Sequence, residues 1–88
     1  MRHSGDSSNV ELEAQLRATI EGQLPGSRAT IEGTGGHFVI SVVWQEFEGL
    51  GRVQRQRRVY SAIKEFMAGV DAPVHAVDRL VTVTPGGK

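Results

Sequence analysis

Hydrophobic residues recur along the chain with two alternating periods, and these mark out five elements in the order helix, strand, strand, helix, strand. Leu12, Leu16 and Ile20 return every fourth residue, with Glu11, Glu13, Gln15 and Arg17 on the other faces, as in a surface helix with one buried stripe. Ser8 and Glu11 form an S-x-x-E capping signature that predicts its start, and Gly22, Pro25 and Gly26 predict its end. From Arg28 to Glu32 the pattern alternates, with Ala29 and Ile31 on one side, and Gly33 to Gly36 then reads as a hairpin turn. The second arm, His37 to Phe47, is apolar on both sides. Phe38, Ile40, Val42 and Trp44 share one face, and Val39, Val43 and Phe47 share the other, which predicts a central strand.

Gly49 and Gly51 break that strand, and Val59, Tyr60, Ile63, Phe66, Met67 and Val70 then line one face of a helix from about Arg52 to Ala68. Gly69 to Pro73 predicts a loop, because proline disfavours helical geometry at Ala72. Val74 to Thr84, rich in valine and threonine, predicts a last strand that closes at Pro85. Residues 1–8, His3 among them, read as a flexible polar tail, 9–85 as one domain and 86–88 as a frayed end. Two helices and three strands in so short a chain predict a single small α+β domain with both helices on one face of a mixed sheet. A strand-helix-strand connection is normally right-handed and makes its strands parallel, which brings His37 and His75, each near a strand start, to one edge.

Ten basic and ten acidic residues cancel, so affinity for an anion has to come from a local cluster. Arg52, Arg55, Arg57 and Arg58 form one, at a helix start where the macrodipole already disfavours positive charge. They read either as a surface kept basic for an anionic partner or as a solvated helix face offset by Glu46 and Glu48. The chain has no cysteine, which excludes disulfides and any metal site built on its own thiolates. No stretch approaches the roughly 20 apolar residues of a spanning helix, so a cytoplasmic protein without membrane contact is expected. Ser41, Ser61, His37 and the acids show no nucleophile-base spacing, and the turn after Phe47 is not a phosphate-binding loop, so no enzyme is expected.

The run of His37-Phe38, Phe47-Glu48-Gly49, Arg55-Gln56-Arg57, Val59-Tyr60 and Val74-His75-Ala76, in that order, resembles the BolA family and its shorter IbaG-like branch. The resemblance covers nearly everything from the first helix to Pro85. It implies a fold related to class II KH domains and a non-catalytic protein that pairs with a monothiol glutaredoxin. Together they would hold a bridged [2Fe-2S] cluster, with the glutaredoxin and glutathione supplying thiolates and His75, in the V-H-A segment, supplying an imidazole. The isolated chain is then expected to be a monomer without bound cluster. Read without the family, His75 is first of all a histidine near the sheet edge bonded to backbone.

The family's second ligand comes from the loop between the first two strands. Here that loop, Gly33 to Gly36, has neither histidine nor cysteine, which leaves His37 as the nearest candidate, or as a strand-start residue of structural use only. The family is also linked to stress responses and transcriptional regulation, and nucleic-acid binding through Arg52, Arg55, Arg57 and Arg58 is the alternative function. Gly49-Leu-Gly51 departs from the G-x-x-G clamp of nucleic-acid-binding KH domains. Gln56 stands where a histidine is usual between the two arginines. His75 to Pro85 is one residue longer than usual, which predicts a bulge in the last strand. The family's tail after the proline is absent from this chain, and its contribution to partner binding is expected to be missing.

Overall fold

A computed structural model describes residues 4–87, with side chains over residues 10–87. His3 and the rest of residues 1–3, and Lys88, lie outside the described residues. Strands β1 (Arg28–Thr34), β2 (His37–Val43) and β3 (Ala76–Val83) form one mixed sheet with β2 in the centre, as its two-sided apolar pattern requires. β1 and β2 are antiparallel, with Arg28 opposite Val43 and Thr34 opposite His37. The reversal is made at Gly35 and Gly36, whose φ angles of 61° and 83° are open to glycine at little cost. β2 and β3 are parallel, joined through α2 (Arg52–Ile63). Their register slips once: Phe38 pairs with Val77, but Val39 pairs with Arg79, so Asp78 has no partner on β2. This is the bulge that the extra residue in the last segment predicts.

Helices α1 (Ser4–Gln23) and α2 cover one face of the sheet. Leu16 and Ile20 from α1 and Val59 and Ile63 from α2 meet Phe38, Ile40 and Val42, all essentially without exposed surface. Burying such side chains contributes about 1.5–3 kcal/mol each, which is why their periodicity governs the fold. On the opposite face of β2, His37 and Val39 are exposed.

Four local expectations fail. α1 begins at Ser4, so Ser8 lies within the helix rather than at its start. The ladder ends where the Trp44 N–H bonds the Val83 carbonyl; Gln45–Phe47 then forms a 3-10 turn, and Phe47 swings back into the core beside Trp44 rather than onto the opposite face. α2 stops at Ile63 and tightens into a 3-10 turn, Lys64–Phe66, whose Phe66 carbonyl accepts the Val74 N–H at 3.0 Å. Val70 consequently leaves the apolar face and is 97% exposed, and Tyr60 is exposed as well. β3 begins at Ala76, with Val74 buried in the segment before it.

The outer strands are bonded by side chains from the helices. Glu21 and Glu13 of α1 accept the backbone N–H groups of Ala29 and Gly33 on β1, at 2.9 and 3.2 Å. The spacings match: eight residues of helix rise about 12 Å, and four residues of strand about 13 Å. On the other side, Arg55 of α2 donates to the Thr82 carbonyl of β3 at 3.0 Å. No helix among the described residues is long and apolar enough to cross a membrane.

Candidate functional site

The parallel register that sets His37 beside Ala76 also brings the β1–β2 turn against the segment entering β3. The Gly36 carbonyl accepts the backbone N–H groups of both His75 and Ala76, at 2.8 and 3.1 Å. The His75 ring lies directly over Gly36: a Cβ built there would stand 2.9 Å from its Cγ and Nδ1. Gly36 is therefore required twice, for its positive φ and for the space the imidazole occupies. His75 is exposed, and its ring nitrogens have no hydrogen-bond partner among the described residues.

His37, the first residue of β2, projects from the face away from the helices, and its Nδ1 lies 3.1 Å from Oδ1 of Asp78. The carboxylate comes from the bulge residue. Its insertion into β3 at this point supplies the partner that a regular strand would lack. Both side chains are 56% exposed.

His37 and His75 thus flank the same end of the β2–β3 pair, as the parallel connection predicts. They offer imidazole nitrogen and no sulfur, and no group of three metal-ligating side chains occurs among the described residues. Such a donor set leaves an iron or zinc ion short of ligands. It fits a metal group completed by the thiolates of another molecule, for which imidazole is a competent partner ligand.

The arginines lie at the other end. Arg55 bonds the Thr82 carbonyl, six residues along β3 from Ala76, which at the usual strand rise is about 20 Å away. Its Nε also donates to the Leu50 carbonyl at 2.8 Å, and its guanidinium stands 5.6 Å from the centre of the Phe47 ring. It is half-buried and clamps the turn before α2 to the edge of β3, unlike the exposed Arg52, Arg57 and Arg58. Arg58 lies over the Trp44 ring at 5.7 Å. Arg52 and Gln56 face Arg79 across a groove between α2 and β3.

Sequence reasoning did not single out Asp78 or Gly36. The added residue in the last segment signalled a bulge without saying where it falls, and the three glycines of the turn looked alike until one met a histidine ring.

Two helices on one face of a three-stranded mixed sheet, with an exposed histidine leading into the last strand, define a small α+β domain whose structural neighbours are BolA folds. The model of the family described as BolA-like protein matches residues 7–86, and the chain belongs to this family. It is 34% identical over 84 residues to mouse BolA-like protein 1, covering 84% of this chain and 59% of that protein, so it spans little more than half the length of that relative. It is 30% identical over 63 residues to the Escherichia coli acid stress protein IbaG, covering 72% of this chain and 73% of that one. Among solved structures, a BolA homologue from Coxiella burnetii superposes with a TM-score of 0.69 at 34% identity, covering 83% of this chain and 90% of the other.

Proposed function

We infer that this protein is a non-catalytic BolA-like adaptor that pairs with a monothiol glutaredoxin in the cytoplasm and co-ligates a bridged [2Fe-2S] cluster. The observation that carries the reading is His75: an exposed imidazole with no hydrogen-bond partner among the described residues, seated on Gly36 by two backbone bonds at one end of the sheet. A backbone anchor fixes the position of the ring while leaving its nitrogens available. The glutaredoxin and glutathione supply the thiolates that this cysteine-free chain lacks. When bound, the cluster supplies a one-electron centre whose potential is tuned by replacing sulfur with nitrogen on one iron.

Adding the protein to a glutaredoxin that carries the cluster, with glutathione present, tests this reading. The visible absorption and circular dichroism should change from the all-thiolate pattern to a new one, and His75→Ala should abolish the change. An unchanged spectrum on addition of the wild-type chain would overturn it.

Phosphate binding by the start of α2, the alternative, rests on fewer side chains than the arginine cluster suggests. Arg55 is committed to two carbonyls, which leaves Arg52, Arg57 and Arg58.

A further inference from the structure

The bulge in β3 does more than absorb an extra residue. A bulge re-aims the side chain at the extra position, and here that side chain is a carboxylate 3.1 Å from His37 Nδ1. An ionised carboxylate can only accept a hydrogen bond, so Nδ1 carries the proton and donates it. In the neutral ring the lone pair then sits on Nε2, on the far side from Asp78. Among the described residues nothing else bonds the His37 ring.

The geometry points to Asp78 as a positioning residue that presents Nε2 of His37 as a second imidazole ligand to the metal group proposed for His75. It rests on that reading and extends it, since the β1–β2 turn supplies no ligand and the β3 bulge supplies the orientation instead. Histidines that ligate metals regularly donate their other N–H to a carboxylate, which fixes the tautomer and makes the ligating nitrogen more basic. The pair is too exposed to be a large source of stability. Its effect lies in choosing one nitrogen and limiting ring rotation. His75 has no such partner, so the two ligands differ in kind: His37 is oriented by a side chain, His75 only by its backbone.

The test has two arms, both on the full chain. In the first, long-range nitrogen-proton NMR of the metal-free protein at mildly alkaline pH, where imidazole is neutral, reports the His37 tautomer directly. Wild type and Asp78→Asn, which retains an acceptor oxygen, should show the proton on Nδ1, whereas Asp78→Ala should move it toward Nε2. In the second, the cluster is assembled with a monothiol glutaredoxin and glutathione, and pulsed EPR of the reduced state counts the nitrogens bound to iron. Wild type should show two imidazoles and His37→Ala one. Asp78→Ala should weaken retention of the cluster about 10-fold or more, in the range usual for losing a partner of a metal-bound histidine. An Asp78→Ala tautomer like that of wild type would overturn the positioning role. A single imidazole in wild type that persists in His37→Ala and vanishes in His75→Ala would overturn the second ligand while leaving the adaptor reading intact. Loss of neither signal in either histidine variant would end both.

Discussion

Trp44 donates its indole N–H to the carbonyl of Pro25 at 2.8 Å, tying the end of the buried face of β2 to the loop that follows α1. Trp44 is 6% exposed, and its ring meets Phe47 edge-on, with centroids 5.3 Å apart. Its fluorescence should therefore be that of a buried indole, blue-shifted from free tryptophan. Trp44→Phe leaves the Pro25 carbonyl without its donor and should cost about 1–3 kcal/mol, read from urea unfolding followed by circular dichroism. Trp44→Ala should cost about 3–5 kcal/mol, and a water-exposed emission maximum in the wild type would contradict the packing.

Arg55 and Arg57 separate structure from surface. Hydrogen bonds from a charged donor contribute about 1.5–3 kcal/mol each, discounted here because Arg55 is only half-buried. Arg55→Ala should destabilise the domain by about 1–3 kcal/mol, and Arg57→Ala should stay within about 0.5 kcal/mol of wild type. Equal unfolding midpoints for the two variants would refute the clamp. On a solvated helix face, as one reading of the sequence has it, both would be removed at little cost to the fold; the two carbonyl bonds of Arg55 reverse that for one of them.

Gly36→Ala places a methyl group 2.9 Å from the His75 ring at a backbone φ of 83°. The left-handed conformation alone costs a non-glycine residue about 1–2 kcal/mol, and the ring must also move. The variant should unfold at lower urea and shift the His75 ring resonances, whereas Gly22→Ala, with open space around it, should leave those resonances in place.

A phosphate-binding role for the arginines predicts a steep salt dependence. Affinity for a DNA or RNA oligonucleotide should fall with log salt at a slope near −0.9 per phosphate contact for duplex DNA, and Arg52→Ala or Arg57→Ala should reduce that slope. Fluorescence anisotropy across a salt series measures it. Binding that is flat in salt or unchanged in both variants would exclude the cluster as a phosphate site.

The parts of the fold that the sequence predicted are those where one period runs unbroken. Phe38, Ile40, Val42 and Trp44 declare the buried face of β2, and the strand-helix-strand order gives the parallel pairing that sets His37 beside Ala76. Prediction failed where the backbone changes its repeat. Phe47 and Val70 both follow a switch to 3-10 geometry, and counting by two or by 3.6 carries them to the wrong face. Asp78 was hidden for another reason: an extra residue can be absorbed at any point of a strand, and its position depends on which pairing the core face prefers. Arg55 differs from its neighbours only in what lies opposite, a tertiary fact that residue type does not encode.

The carboxylates of Glu13 and Glu21 along β1 and the guanidinium of Arg55 on β3 act as a fence around a small sheet. Open strand margins invite pairing with another copy of the chain, and three strands would be a ready template for it. With two N–H groups on the β1 margin and one carbonyl on the β3 margin already engaged, a foreign strand would have to displace these side chains to enlarge the sheet, whereas the strand ends and the helix-free face carry no such fence. The histidines stand at one of those ends. On the adaptor reading proposed above, assembly through them is made and broken by side chains without remodelling the sheet.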